Sequence, residues 1–197
     1  MPKNPVIVEA GAHKGIDTLA MNKNWPNAMI YAFEPIPQLF DLLSTSTQDF
    51  RNNIKCYQLA LGEDISTKNM YVSSGKSDAS SSLLPPVEHL VEHPDVTFNK
   101  VVEIQTISLD QWAKRNDICF VDFLWLDMQG YEFNVLSASP NILKTVQAIY
   151  TEVSLVELYK GSLLYPQFRD WLENQGFIVK SEYLDWKDAG NVLFVRL

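Results

Sequence analysis

The stretch Val6-Ile7-Val8-Glu9-Ala10-Gly11-Ala12-His13-Lys14-Gly15 constrains the fold more than any other part of the chain. Three apolar residues in a row read as a strand buried on both faces, as in a parallel sheet. Gly11 and Gly15 allow a tight turn and a close backbone approach, and a helix starting near Asp17 would aim its N-terminal amides back across that turn. A second apolar run, Met29 to Phe33, ends in Glu34. Parallel strands need a crossover connection, so this opening already implies helices packed on the sheet.

The rest of the chain continues the alternation. A helix is expected from Pro37, with Leu39, Phe40, Leu42 and Leu43 on one face, and Ile54 to Leu61 reads as a third strand ending at Gly62. The pattern then breaks. Ser73 to Ser82 is a loop by composition, Leu83 to Pro94 holds a short helix, and Lys100 to Ile107 alternates like an edge strand able to pair with Asn69 to Ser73. Residues 68–107 are therefore expected to form a hairpin insertion with a lid-like tip. Ser108 and Gln111 have capping-box spacing and open a helix through Arg115. Strands follow at Phe123 to Asp127, Ala148 to Val153, Phe177 to Val179 and Asn191 to Arg196, with a helix after Glu132 and another over Tyr165 to Gln175 that stops at Gly176. The expected fold is α/β, one domain over residues 1–197. It is a three-layer, doubly wound, mostly parallel sheet of about seven strands, the last antiparallel.

Open sheets of this kind bind ligands beyond the carboxyl ends of their strands, where Gly11, Glu34, Gly62, Asp127 and Glu152 all fall. Glu34 is placed to accept hydrogen bonds from both hydroxyls of a ribose. A dinucleotide site would need Gly-x-Gly-x-x-Gly, but His13 occupies the second glycine position. Glu9 would repel a pyrophosphate and attract an ammonium group. A ribose, an ammonium and no phosphate describe S-adenosylmethionine, which leaves a nicotinamide-dependent oxidoreductase as the weaker alternative. A net charge of -8 opposes a nucleic acid or an anionic membrane as partner, favouring a small, neutral acceptor. No apolar run of about 18 residues spans a membrane, and Met1 to Pro5 shows no signal core, so a cytoplasmic location is expected.

Two other features are read conservatively. Cys56 and Cys119 lie in apolar runs without a Cys-x-x-Cys partner and are expected to be buried free thiols. His89-Leu-Val-Glu-His93 matches a zinc-protease pattern, but Pro85, Pro86 and Pro94 hem it in and no supporting helix or distant acid is evident. No metal site is expected there, only polar side chains on an exposed turn.

Over nearly its whole length the chain resembles the FkbM type of class I S-adenosylmethionine-dependent methyltransferases. The carrying motifs are Glu9 to Thr18, Ala32-Phe-Glu-Pro35, Leu59-Ala-Leu-Gly62, Ser81-Ser-Leu83, Thr106-Ile-Ser-Leu-Asp110 and Leu126-Asp-Met-Gln-Gly-Tyr-Glu-Phe-Asn-Val-Leu136. The resemblance implies that Glu9, Ala10, Gly11, His13 and Gly15 line the methionine half of the cofactor and that Thr18 offers a hydroxyl. It implies also that Glu34 and Pro35 hold the ribose, Leu61 and Gly62 border the adenine, and Asp127 lies near the methyl group. The acceptor types it implies are a hydroxyl of a sugar, a glycolipid or a secondary metabolite. Asp127, Glu152 and His13 are candidate proton acceptors, although each could instead only satisfy nearby backbone. Gln129, Glu152 and Tyr159 are candidate acceptor contacts. Two residues depart from the family pattern: His13 stands where an asparagine is usual, and Gln129 where a glutamate is usual. The second removes a charge beside Asp127 and keeps a non-catalytic cofactor-fold binding protein as an alternative.

Overall fold

The computed structural model describes all 197 residues. Its first half comprises β1 (Val6–Ala10), α1 (Ile16–Asn24), β2 (Met29–Phe33), α2 (Pro37–Ser46), β3 (Ile54–Tyr57), β4 (Ala60–Leu61), β5 (Ser66–Gly75), α3 (His89–Glu92) and β6 (Val96–Ile107). The second half adds α4 (Leu109–Arg115), β7 (Phe123–Leu126), α5 (Glu132–Ser137), α6 (Pro140–Leu143), β8 (Ala148–Ser154), α7 (Tyr165–Asn174), β9 (Phe177–Tyr183) and β10 (Ala189–Arg196). The main sheet has seven strands in the order β3-β2-β1-β7-β8-β10-β9. Strand β10 runs antiparallel to both of its neighbours, and the pairs from β3 to β8 are parallel. The expected α/β sheet with an antiparallel last strand is what the chain forms.

Alternation within each strand feeds two cores. Val8 pairs with Leu124 and Ala10 with Leu126, and these side chains pack on one face against Leu109 and Trp112 of α4, Val135 and Leu136 of α5, and Phe168 and Leu172 of α7. Ile7, Ile30 and Phe123 point to the opposite face, where Met21 of α1 covers them. Leu43 of α2 closes against Ala12 and Ala32. The capping box at α4 forms as its spacing demands, with Ser108 Oγ accepting from Gln111 N and Gln111 Oε1 accepting from Ser108 N, both at 3.2 Å.

Three expectations need correction. The run Ile54 to Leu61 is two strands: β3 stays in the main sheet, while β4 leaves it and pairs in parallel with β6. The backbone turns out of the sheet after Tyr57, whose carbonyl accepts from Glu34 N. With β5, these strands build a second sheet of three, ordered β4-β6-β5, so the expected hairpin exists but is longer and anchored to the main body. Cys119 is exposed and Cys56 only half-buried, though both are free thiols. Ile118 and Val121 take the core positions of that irregular segment and leave Cys119 outside.

The strand order reverses between β1 and β7, and the crevice at such a reversal is where ligands bind. Gly11 makes that reversal possible. Its φ is 87°, and a Cβ there would lie 1.9 Å from the Asp127 carbonyl oxygen at the end of β7. Gly15, at φ 84°, faces side chains of α2 less tightly, a Cβ there lying 2.7 Å from Ser46 Oγ and 3.0 Å from Leu43 Cδ1. Gly11→Ala is expected to lower the unfolding free energy by about 2 kcal/mol or more, from left-handed strain plus displaced backbone. Urea denaturation measures it, and a loss under about 0.5 kcal/mol, the range of ordinary surface substitutions, would show that the turn relaxes freely.

Candidate active site

Two cavities open side by side at the carboxyl ends of the central strands. The first encloses about 70 Å³ and is walled by Ala10, Gly11, His13, Glu34, Pro35, Leu61 and Asp127, with apolar cover from Phe33, Met70 and Leu83. The second is a cleft of about 690 Å³ between the insertion and the β9–β10 connector, and it includes Asp127, Gln129 and Glu152. Asp127 and Ala79 border both.

The first cavity is organised by buried acids. Glu34 Oε2 accepts from His13 N at 3.0 Å and Oε1 from Ile36 N at 2.8 Å, so one carboxylate fixes the turns after β1 and β2. Burial pushes its pKa up to about 7, against the pull of those two amides. Beneath it Glu9, only 1% exposed, accepts from the Thr18 hydroxyl at 2.5 Å, and burial pushes its pKa up to about 8. Glu9, Thr18, Gly15 and Gly62 do not reach the cavity wall. Glu9 and Thr18 bond to each other beneath the turn, Gly15 packs on α2, and Gly62 packs on Thr106 of β6. All four thus lie behind the residues that line the cavity.

His13 also sits in the left-handed region, at φ 51°. Its Nε2 lies 3.1 Å from Asp78 Oδ1, and Lys14 Nζ donates to Asp78 Oδ2 at 2.6 Å. The Lys14 hydrogen bond holds the Asp78 carboxyl below its ordinary value. These ties lay the serine-rich segment over the first cavity, with Asp78, Ala79 and Ser81 in its wall. His13 therefore ties down the overlying segment and lines the first cavity, not the cleft.

The cleft is organised by Gln129. Its Nε2 donates to Asp127 Oδ1 at 2.7 Å and to Glu152 Oε2 at 2.6 Å, so a neutral amide bridges two carboxylates from neighbouring strands. The Tyr159 hydroxyl lies 2.9 Å from Gln129 Oε1 and 2.7 Å from the Ser80 carbonyl oxygen. Tyr159 is buried behind this group with its one hydroxyl hydrogen shared between these two oxygens, and it does not line the cleft. Burial, then the charge of Asp127, raises Glu152 well above the usual carboxylate range. Asp127 is open to the cleft but surrounded by protein on its other sides, and the loss of bulk solvent raises it too. Glu132, at the start of α5, accepts from Met128 N at 2.8 Å and is pushed up by burial to about 7.

Several cleft residues were not singled out from the sequence. His89, Glu92 and His93 all face it, so the His-x-x-Glu-His segment is part of the cleft wall rather than an exposed turn. His93 Nε2 lies 2.6 Å from Asp188 Oδ2, and Lys187 pairs with Glu92 at 3.1 Å, clasping α3 to the β9–β10 connector beside Trp186. The motif was the available signal, but its partners lie far along the chain. Lys68, which donates to Glu63 at 2.7 Å and to the Tyr131 hydroxyl at 2.8 Å, likewise ties the second sheet to the first cavity.

The methyltransferase FkbM domain model matches residues 9–179, most of the chain. The protein belongs to the FkbM methyltransferase family. The 2-O-methyltransferase NoeI of Sinorhizobium fredii (strain NBRC 101917 / NGR234) is 28% identical over 165 residues, covering 81% of this chain and 68% of that protein. The crystal structure of methyltransferase FkbM from Methylobacillus flagellatus KT aligns with a TM-score of 0.62 at 10% identity, covering 98% of this chain. This chain spans only 44% of that one. Aeropyrum pernix fibrillarin, solved with natively bound S-adenosyl-L-methionine, aligns over 99% of this chain and 69% of its own with a TM-score of 0.50 at 14% identity. An FkbM-family methyltransferase is thus the shared identity of the sheet, the glycine turn and the acids around it.

The buried acids fix the sign of a pH effect. Glu9 and Glu34 have folded-state pKa values of about 8 and about 7 against an ordinary value of 4.5. Between those limits the folded chain holds protons that the unfolded chain has released, so stability falls as pH rises from about 5 to about 8. The lowered groups Glu63 and Asp78 act oppositely, and their contribution is lost only toward acid pH. Glu9→Gln is expected to reduce the downward slope by up to about 1.4 kcal/mol per pH unit inside the window. Urea unfolding at several pH values reads the slope, and an unchanged slope would show that Glu9 is ionised in the folded protein.

Proposed function

We propose that the protein transfers a methyl group from S-adenosylmethionine to a hydroxyl of a small acceptor, a sugar, glycolipid or secondary metabolite, within one catalytic domain. The observation that carries this reading is Asp127, which borders a small cavity of about 70 Å³ on one side and, on the other, a cleft of about 690 Å³ with unpaired carboxylate oxygens. The first cavity suits a nucleoside with an amino-acid tail. It offers Glu34 for a diol, Leu61, Met70 and Leu83 for a flat apolar ring, and the close approach allowed at Gly11. Nothing in its wall pairs with a pyrophosphate, since the acids Glu34 and Asp127 dominate it. A cationic ligand would favour the ionised form of Glu34, which burial otherwise opposes. The NoeI relative, described as a 2-O-methyltransferase, supports oxygen as the atom methylated.

S-adenosylmethionine supplies a methyl on positively charged sulfur; as carbon–oxygen bonding replaces carbon–sulfur bonding, the electron pair stays on sulfur and the acceptor loses its hydroxyl proton. The protein's tasks are then positioning and proton acceptance. The cleft must hold the hydroxyl oxygen about 3 Å from the methyl carbon and in line with sulfur. Glu152 takes the proton through its free Oε1 and Asp127 orients the hydroxyl through its free Oδ2, neither oxygen having a protein partner. Glu92, Asp95 and Asp188 of the cleft wall are each paired with a basic neighbour, Lys187, Lys76 and His93, which leaves Asp127 and Glu152 as its acids without a cationic partner. No helix is long and apolar enough to cross a membrane.

The free space of about 70 Å³ is well below the roughly 300 Å³ of ordinary ligand pockets, so the Asp78 segment must lift for the cofactor to enter. Asp78→Ala is expected to speed association of S-adenosylhomocysteine several-fold in stopped-flow fluorescence, and an unchanged rate would remove the segment from the entry path. Calorimetry is expected to show binding of S-adenosylhomocysteine and none of NAD; the reverse result would overturn the cofactor assignment. Against a mass-spectrometric panel of methyl glycosides and cyclohexanediols, Glu152→Ala is expected to lower turnover by about 100-fold or more. Full turnover in that variant would remove its role.

A further inference from the structure

We infer that Gln129 is the positioning residue of the proton-accepting pair, its one amide holding Glu152 Oε2 and Asp127 Oδ1 in place so that the second oxygen of each is left for the acceptor. The inference rests on the proposed hydroxyl transfer and adds to it the residue that sets the pair's geometry.

Three observations converge on it. First, the amide is saturated. Both hydrogens of Nε2 go to carboxylates, at 2.7 and 2.6 Å, and Oε1 faces the Tyr159 hydroxyl at 2.9 Å. A reversed amide would set an oxygen against two carboxylates, so the orientation is fixed by electrostatics. Second, the backbone carries strain to put it there. Gln129 lies at φ 53°, a region that costs a residue with a side chain about 1–2 kcal/mol, and the Ser82 hydroxyl pins its carbonyl at 2.8 Å. Third, the residue bridges strands rather than capping its own helix, for Asp127 follows β7 and Glu152 lies in β8. A glutamate would bring a third carboxylate within hydrogen-bond distance of two others, with no hydrogens to bridge them.

The consequence is chemical. The amide's donation favours the ionised form of both carboxylates, opposing the burial that raises them. The other groups facing Glu152 are acids: Asp127 after β7, Glu132 of α5 and Asp188 of the β9–β10 connector, the last paired with His93 of α3. Tyr159 stands behind, and Asp17 of α1 with His13 faces Asp127. Among all of these, Gln129 is the group that hydrogen-bonds both carboxylates directly. Turnover is therefore expected to rise with pH as the pair ionises, with Gln129 setting where that rise begins.

The test reads the carboxylates themselves. In protein bearing ¹³C-labelled Asp and Glu carboxyls and saturated with S-adenosylhomocysteine, NMR titration follows Glu152, assigned by its loss in Glu152→Gln. Gln129→Leu and the isosteric Gln129→Glu are expected to move the Glu152 midpoint upward by at least about one pH unit, a tenfold change in proton affinity. Gln129→Asn, which tolerates the left-handed backbone but is too short to span both acids, guards against a folding defect and is expected to move it less. A midpoint unmoved in the folded Glu and Asn variants overturns the inference. With any methyl glycoside that turns over, the acid limb of the kcat–pH profile must move with the midpoint, and a limb that stays put also overturns it. Failure of every hydroxyl acceptor with a shifted midpoint instead counts against oxygen transfer and leaves the clamp standing.

Discussion

Everything at the site depends on a contact that only a missing side chain permits. With a Cβ on Gly11 1.9 Å from the Asp127 carbonyl, β1 and β7 could not end side by side as they do. That contact brings the turn after β1, which carries His13, to the base of the strand end that carries Asp127. The Asp127 N–H closes it from the other side by donating to Ala10 O at 2.9 Å. The same reversal of strand order that opens a crevice therefore decides which residues line it. Glu34 locks the geometry by bonding one backbone amide from each of the two adjoining turns.

Upon that frame the electrostatics are one-sided. Glu9, Glu34, Glu132 and Glu152 are each raised by burial, and no lysine or arginine reaches any of them by a salt bridge. Buried carboxylates left without a cation release their protons at higher pH than exposed ones do. Such a set is poised for a positively charged ligand, whose arrival would favour ionisation of the whole group. An oxidoreductase site built for a pyrophosphate would need the opposite sign, which is why the histidine at the second glycine position and the acid at Glu9 point the same way.

The legible parts of the fold were those set by short-range chemistry. The capping box at Ser108 and Gln111 needs only local spacing, and the alternation of β6 announces its pairing with β5. The glycine turn and the acids after each strand could be placed because strand ends are where this sheet type exposes polar groups. The run from Ile54 to Leu61 was misread because apolar residues do not say which sheet they join, and the departure is made by backbone bonding at Tyr57. The cleft was the least legible. Its wall depends on His93 meeting Asp188 across 95 residues, a pairing that no local pattern encodes. Gln129 stood out as a departure from the family's acid, but that its amide would fall between two carboxylates is a property of strand register.

The two cavities are not independent, because a single proton links them. Tyr159 has one hydroxyl hydrogen and two acceptors, the Ser80 carbonyl in the overlying segment and Gln129 Oε1 in the clamp. While the segment is down, both acceptors compete for that hydrogen. When Asp78 is released and Ser80 withdraws, the hydrogen falls to Gln129 alone, which draws charge toward Oε1 and strengthens donation from Nε2 to the carboxylates. Opening of the first cavity would thus reach the acid pair in the second through this one hydroxyl. The coupling is small, of the order of one neutral hydrogen bond, about 1 kcal/mol. It adds to the donation that already favours the ionised form of both carboxylates, against the burial that raises them.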